Sequence, residues 1–447
     1  MSLSPDRMRR RLRVLWRRRA QPEAAAQMRM MRRRIATVAG AILLGIVALI
    51  FAEVADSAHD LFLSLAGSWP WLPVVLTPAI FAAVVYATRR WAEEAAGSGI
   101  PQVIAAGRTS DKALANRMLS VVTAGKKLVL TVAMLLGGGS VGREGPTVQV
   151  SAAIMVWIHR LLRVPITAGV LIAGGAAGVA AAFNTPLAGV AFAIEELAAA
   201  YEQRIAVLVM GAVMIAGLVS LGIAGDYVYF GEMGGTLPLH VVLMAAPVAG
   251  VVGGALGGLF SRVVLRFSRT TTGVFGLSHR RPVLFAAACG LIVAVIGIAT
   301  GGSTWGTGYA TTRELVEGGD ASLWFGPAKL LTTLATMLSG APGGIFAPSL
   351  AVGAGIGNFL KELFPNDSAG AIILLGMAAY FVGVIRAPFT AVIILSETTA
   401  SRGMILPMFA TALIAEAVSA LVCRERLYSA LARGFLAKSE PPVELKH

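Results

Sequence analysis

Apolar runs separated by short polar breaks follow one another along almost the whole chain. They lie approximately at residues 35–51, 72–86, 128–136, 166–183, 205–223, 241–259, 284–298, 330–338, 369–384 and 405–422. Several are shorter than the ~20 residues that a membrane-spanning helix needs. The long runs predict spanning helices. The short ones predict broken helices, whose open backbone is tolerated only where protein or water covers it.

Composition supports the same interpretation. Of the 447 residues, 56% are hydrophobic and only 14% are charged, and the mean hydropathy is +0.74. These values lie far outside the range of a soluble globular domain. We therefore predict an all-α polytopic membrane protein in contact with the lipid bilayer.

The formal net charge of +14 is concentrated at the start of the chain. Residues 1–34 contain twelve arginines against Asp6 and Glu23, so +10 of that charge lies there. A basic segment can bind nucleic acid, but directly before an apolar run it more often keeps a terminus in the cytoplasm. We predict a cytoplasmic amino terminus and no nucleic-acid partner.

An internal repeat organises the chain. Residues 127–146, "KLVLTVAMLLGGGSVGREGP", align without a gap on residues 329–348, "KLLTTLATMLSGAPGGIFAP", with eight identities and an offset of 202. The same offset places Glu195 on Glu397. Matching glycine-broken helices in two halves predict a binding site near the middle of the membrane, between the repeats.

Three glycine-rich loops interrupt the apolar runs: "GSGIP" at 97–101, "GREGP" at 142–146 and "GGIFAP" at 343–348. Each resembles a helix start, where unpartnered N–H groups and the positive end of the helix dipole attract anions. Ser98 adds a hydroxyl donor to the first loop, and Glu144 lies in the second. An ionisable residue at membrane depth indicates a functional site. Together the loops predict a pathway for a small anion.

These motifs resemble those of the CLC family of chloride channels and chloride/proton antiporters. The three loops occur in the family's order, and "AFNTPLAGVAFAIEEL" at 182–197 and "LYSAL" at 427–431 also match. The resemblance extends over about residues 35–435. It implies a fold of two inverted-topology repeats with broken and partly spanning helices. It also implies a homodimer with an anion pathway in each subunit and both termini in the cytoplasm.

The family pattern implies roles for particular residues. Glu144 would be the external gating and proton-transfer glutamate, which competes with chloride as an anion and swings away when protonated. Glu196 would be the internal proton-transfer glutamate. Lys127 would raise the positive potential near the pathway, and Glu195 would help water to reach Glu196. The chloride sites would be formed by hydroxyl and backbone groups of Ser98, Gly99, Arg143, Gly145, Ile345, Phe346, Ala347 and Tyr428.

The sequence also departs from the family in ways that refine the expectation. Gln102 and Ile104 replace acids that often follow "GSGIP", so local salt bridges there would differ. Only nineteen residues follow Tyr428, too few for the cytoplasmic regulatory domains of eukaryotic members. The resemblance therefore implies a minimal transporter of a bacterial inner membrane. Chloride rather than fluoride would be favoured, because the fluoride-exporting branch departs from "GREGP" and from the tyrosine pattern.

We divide the chain into a basic cytoplasmic tail (1–34), a first transmembrane repeat (35–225), a second repeat (226–435) and a short cytoplasmic tail (436–447). The leading hypothesis is exchange of chloride for protons. A passive gated chloride channel of the same fold is the main alternative, followed by an unrelated cation-coupled transporter with paired acids. An intramembrane enzyme is less favoured, because no nucleophile and base have suitable spacing. Histidines and cysteines lack ligand spacing, so we expect no metal or cofactor.

Overall fold

Nineteen α-helices make up most of the residues that the computed structural model describes, which are 5–197, 203–225, 228–270 and 276–437. The helices of the first half, α1 to α9, are Pro5–Ser68, Leu72–Trp91, Ile100–Arg108, Lys112–Met118, Val121–Leu136, Glu144–Leu161, Ala168–Phe183, Pro186–Phe192 and Gln203–Ala224. Those of the second half, α10 to α19, are Leu239–Arg269, Leu277–Arg280, Pro282–Ala299, Tyr309–Val316, Phe325–Leu338, Phe346–Leu360, Ala369–Ile385, Pro388–Thr398, Ile405–Val422 and Leu427–Ala437. The prediction of an all-α fold is confirmed.

Helix lengths fall into two groups. Seven helical segments of the described residues are long and apolar enough to cross a membrane: Gln27–Ser68, Leu72–Trp91, Lys112–Leu136, Ala206–Ala224, Leu239–Arg269, Pro282–Ala299 and Ile405–Val422. Others are much too short, such as α3 with 9 residues and α8 with 7. A membrane protein tolerates such short helices only inside its own packing. The expected mixture of spanning and broken helices is therefore present.

The two halves pack in the same way around a shared centre. Helix α6 packs along α7 in the first half, as α15 packs along α16 in the second. Both α7 and α16 are almost entirely buried, as expected for helices that are apolar on every side. At the centre Gly142 and Gly344 exchange backbone hydrogen bonds of 2.8 and 2.7 Å as an isolated antiparallel bridge. These glycines are repeat equivalents, so the bridge joins corresponding points of the two halves.

Two glutamates connect the halves by a reciprocal exchange. The Glu195 carboxylate accepts hydrogen bonds from the backbone N–H groups of Phe389 and Thr390, at 3.2 and 2.7 Å, at the start of α17. The Glu397 carboxylate accepts equivalent bonds of 3.1 and 2.8 Å from Leu187 and Ala188 at the start of α8. Each acid lies near the end of its own helix and at the beginning of the other. Helices α8 and α17 therefore run antiparallel, and each caps the other with a favourable charge.

Two buried lysines, one in each half, make a second pair of equivalent contacts. Lys127 Nζ donates to the Ala95 carbonyl at 2.8 Å and also to the Gly97 carbonyl. Lys329 Nζ donates to the Thr304 and Gly306 carbonyls at 3.0 and 2.8 Å. A buried ammonium group needs such partners. Each lysine thereby fixes one loop that leads into a short helix, α3 in the first half and α13 in the second.

Candidate anion and proton pathway

The glycine-rich loops meet where their helices begin. Gly343 donates its N–H to the Gly97 carbonyl at 3.1 Å, which joins the "GSGIP" loop to the "GGIFAP" loop. Gly99 precedes α3 with a φ of +105°, a conformation that favours glycine. A Cβ there would lie 2.7 Å from the Gly145 carbonyl oxygen, so the backbones approach closely only without side chains. The starts of α3, α6 and α15 are therefore brought together.

Two hydroxyls without partners lie beside these helix starts. Ser98 and Tyr428 are 2% and 0% exposed, and neither side chain makes a hydrogen bond of normal geometry with any described residue. They lie close to each other, although Tyr428 comes from α19 at the other end of the sequence. The Tyr428 ring also packs at 6.1 Å from the ring of Phe346. Buried hydroxyls normally have a partner, so these two hydroxyls can donate to a bound anion.

The backbone around these hydroxyls leaves little room for side chains. Ile345 is the N-terminal flanking residue of α15 and is buried, as are Phe346 and Ala347 after it. At Gly145, a Cβ would lie 2.5 Å from Ser98 Oγ and 3.2 Å from Gly344 Cα. The Ser98 hydroxyl, the backbone of Gly145 and the loop before α15 are therefore packed close together.

The Glu144 carboxylate is fully buried and lies at the starts of α6 and α15, where backbone N–H groups attract anions. Its Oε2 atom accepts a hydrogen bond from the Ala347 N–H of α15 at 3.4 Å. Its Oε1 atom accepts a hydrogen bond from the Tyr309 hydroxyl. Both of these donors belong to the second half of the chain, although Glu144 itself begins α6 of the first.

Arg143, next to Glu144 in the sequence, is buried among hydrogen-bond acceptors and aromatic rings. Its guanidinium donates to Asp56 at 2.6 Å, to the Ala52 carbonyl at 2.9 Å and to the Tyr229 hydroxyl at 2.7 Å. It also lies 5.7 Å from the ring centres of both Tyr229 and Tyr309. These contacts hold a fixed positive charge beside Glu144.

Glu196 lies apart from this cluster, in a π-helical turn, Ala193–Leu197, at the end of α8. The turn is short, and such turns are frequent at functional sites. Glu196 is 5% exposed, and its Oε2 has no hydrogen-bond partner among the described residues. The cations Arg426 and Arg108 act on it from neighbouring elements. By contrast, the adjacent Glu195 is fully engaged with α17. Its geometry is that of a helix cap.

Two cavities with no lining residue in common lie next to the cluster. A cavity of about 300 Å³, here called the Ser98 cavity, is lined by Gly97, Ser98, Pro101 and Gln102 together with residues of α10, α14 and α19. A cavity of about 880 Å³, the Arg143 cavity, is lined by Asp56, Arg143, Tyr229, Glu232, Tyr309, Arg313 and their neighbours. Tyr309, which donates to Glu144, lines the Arg143 cavity, whereas Ser98, which lies close to Gly145, lines the Ser98 cavity. Each cavity therefore reaches a residue that contacts the Glu144–Gly145 segment.

Sequence reasoning missed Tyr309, Tyr229 and Asp56. A signal for Tyr309 does exist, since "GTGY" at 306–309 matches "GSGI" at 97–100. This match has an offset of 209 instead of 202, because the second half has no equivalent of α4 among its described residues. A gapless comparison therefore passes over it. No local pattern marks Tyr229 or Asp56, whose roles depend on contacts with Arg143.

Comparison with known proteins places this arrangement in a family. The family model described as "Voltage gated chloride channel" matches residues 80–420. The H(+)/Cl(-) exchange transporter ClcA of Yersinia pseudotuberculosis serotype IB (strain PB1/+) is 33% identical over 416 residues, which cover 88% of this chain and 82% of the relative. The chain belongs to the CLC family.

Solved CLC structures share its fold. A slow cyanobacterial Cl-/H+ antiporter superposes with a TM-score of 0.77 at 23% identity, covering 91% of this chain and 99% of the other. A CLC-type fluoride/proton antiporter superposes with a TM-score of 0.75 at 22% identity, covering 90% and 98%. The CLC fold, with its inverted repeats and broken helices, is thus confirmed for this chain.

Proposed function

We propose that this protein is a secondary transporter that exchanges chloride for protons. The observation that carries the proposal is the pair of buried hydroxyls of Ser98 and Tyr428, which have no hydrogen-bond partner of normal geometry among the described residues and lie beside the starts of α3 and α15. Chloride fits this chemistry, because it is a small anion that accepts hydrogen bonds without needing a buried cation. Membership of the CLC family and the exchange activity named for the Yersinia relative support the same function.

Glu144 would couple the two ions by competing with chloride. Its carboxylate accepts the Ala347 N–H at the start of α15, which is the kind of contact that a bound anion would make. A chloride ion can take this position only when the side chain leaves it. Protonation favours departure, since a neutral carboxylic acid loses its attraction to the helix start and to Arg143. Each chloride movement is then linked to a proton on Glu144.

Glu196 would relay protons to the opposite side. It is buried, and its Oε2 atom has no hydrogen-bond partner in the part of the chain that the structure describes, so a proton held there is not committed to a structural hydrogen bond. An acid kept in a buried position without such a bond is a candidate for proton transfer. The proton and chloride routes would therefore share Glu144 and separate toward Glu196 and the Ser98 cavity.

The proposal also includes the membrane location, the oligomeric state and the orientation of the protein. The protein would lie in a bacterial inner membrane as a homodimer, with one pathway in each subunit and the Arg143 cavity facing outward. Helices α9 and α18 present exposed apolar side chains, including Val207, Leu406 and Leu421, that a second subunit or lipid would cover. Both chain ends would be cytoplasmic, in line with the arginine-rich start.

The test is proton movement in liposomes that contain the purified protein, driven by a chloride gradient alone. Uphill proton movement is expected in the wild type. In Glu196→Gln, it should fall to the background level while chloride flux continues. Glu362→Gln is the matched control, since it removes one negative charge from an exposed residue in the 3₁₀ turn Lys361–Leu363. It should behave as the wild type.

A passive chloride channel gives a different result. Wild-type chloride flux without proton movement would overturn the exchange proposal and favour a channel. Proton movement that persists in Glu196→Gln would preserve exchange but remove Glu196 from the proton route.

A further inference from the structure

Tyr309 occupies a position that the proposed function leaves without a role. It is the first residue of α13, and its side chain lines the Arg143 cavity. Its hydroxyl donates a hydrogen bond to Glu144 Oε1. The phenol therefore lies between the buried carboxylate and the cavity through which that carboxylate would have to leave.

The surrounding structure fixes the Tyr309 ring. It packs edge-on against Tyr229 with ring centres 4.5 Å apart, and it lies 5.5 Å from Phe230. The Arg143 guanidinium lies 5.7 Å from the ring centre. Such contacts prefer particular ring orientations. The hydroxyl is thus aimed at Glu144 by its neighbours.

The loop before Tyr309 is fixed as well. Gly308 has a φ of +85°, and a Cβ there would lie 2.7 Å from the Ala351 side chain. Lys329 holds this loop through the Thr304 and Gly306 carbonyls. The first half uses the same construction, with Lys127 and the Ala95 and Gly97 carbonyls, to position Ser98. The second half uses it to position a phenol.

We propose that Tyr309 is a positioning residue that holds the anionic Glu144 side chain in its closed position, through a hydrogen bond that must break before chloride passes. A hydroxyl bonds a carboxylate about twice as strongly as it bonds a neutral acid. The Ala347 N–H bond to the same carboxylate is long, at 3.4 Å, so Tyr309 is its principal donor outside α6. The bond selects the charged, closed state and opposes premature opening.

Other groups also face Glu144 and contribute to its response to pH. Arg143 acts on it from the same loop, Tyr229 from the segment before α10, and Tyr428 from α19. Asp56 on α1 acts indirectly, by neutralising part of the Arg143 charge. Tyr309 differs from these groups because it donates directly to the carboxylate.

The test compares Tyr309→Phe with the wild type in chloride efflux from liposomes over a range of symmetric pH values. Tyr86→Phe is the matched control, because it removes the same hydroxyl from a ring exposed on α2. Loss of a charge-assisted bond should raise the pH of half-maximal flux by about one unit, a change of about tenfold in the proton concentration required. Flux at neutral pH should increase, and fewer protons should move per chloride.

A double variant separates this role from a structural one. In a Glu144→Gln background, Tyr309→Phe should change neither the flux nor its pH profile, because no carboxylate remains to be held. An unchanged pH profile in the single variant would overturn the proposal, as would an equal effect of Tyr309→Phe in both backgrounds.

The inference builds on the proposed function, but it fails separately from it. Chloride flux without proton coupling in the wild type would reject exchange, while the shift in the pH profile would still report on Tyr309. Conversely, coupled exchange with an unaltered Tyr309→Phe profile would reject only the positioning role.

Discussion

Glu195 and Glu397 lie 202 residues apart, and each carboxylate accepts hydrogen bonds from backbone N–H groups at the start of a helix in the other half. Glu144 and Phe346 have the same separation, but one is a carboxylate and the other is an apolar ring. Lys127 and Lys329 belong with the first pair, since each fixes a loop through two carbonyls. Glu196 and its equivalent Thr398 belong with the second.

This difference distinguishes residues that stabilise the fold from residues that are proposed to act in transport. Side chains that connect the two halves, or that fix equivalent loops within each half, are duplicated, because two equivalent halves use the same contact twice. Side chains that face the proposed pathway differ, because a single ion route would pass through two halves that contribute unlike groups. The first half supplies the carboxylates Glu144 and Glu196. The second supplies the donors around Glu144, namely Tyr309 and the start of α15.

The largest expected effect comes from the unlike pair, Glu144 and Phe346. Glu144→Ala should reduce proton movement to the background level and remove the pH dependence of chloride flux, because the carboxylate that the two ions are proposed to share is lost. Phe346→Ala should instead destabilise the protein by about 3–5 kcal/mol, since its fully buried ring packs against Phe381 at 5.1 Å and Phe192 at 5.9 Å. Liposome flux and thermal unfolding in detergent measure the two outcomes.

The predicted difference between Glu144 and Phe346 can fail at either residue. Proton coupling that survives in Glu144→Ala would show that the carboxylate is not shared by the two ions. A Phe346→Ala protein with wild-type thermal stability would mean that the apolar equivalent of Glu144 is not a packing residue.

A smaller and equal effect is expected for the two lysines. Lys127→Met and Lys329→Met should each destabilise the protein by about 2–4 kcal/mol, because two loop carbonyls lose their hydrogen-bond partner. This loss exceeds the gain from no longer burying an ammonium group. Both lysines are fully buried, so methionine fits a similar volume. Thermal unfolding of the two variants, measured side by side, tests the equality. A large loss in one variant alone would show that the loops before α3 and α13 are not equivalent.

The sequence allowed the repeat, the glycine-rich loops and the acids Glu144 and Glu196 to be identified, because local motifs and a constant offset mark them. It did not reveal Tyr309, since the offset changes where the first half inserts α4. Nor did it reveal that Glu195 caps α17, because that contact depends on α8 and α17 lying antiparallel. Asp56 was missed for a similar reason. Its partner Arg143 is 87 residues away, and no periodic pattern connects them.

The smallest expected effect concerns Glu195 and Glu397, and it decides whether Glu195 belongs to the scaffold. Glu195→Gln and Glu397→Gln should each lower the free energy of unfolding by about 1 kcal/mol, because a neutral amide bonds the helix start less strongly than a carboxylate does. The ratio of protons to chloride should be unchanged in both, since neither carboxylate lies on the proposed route. Unfolding and coupled flux are measured on the same preparations. Equal destabilisation with unchanged coupling would assign both acids to the contact between α8 and α17. A loss of coupling in Glu195→Gln alone would instead assign Glu195 to the path of water and protons toward Glu196, and the two-fold symmetry of this contact would be structural without being functional.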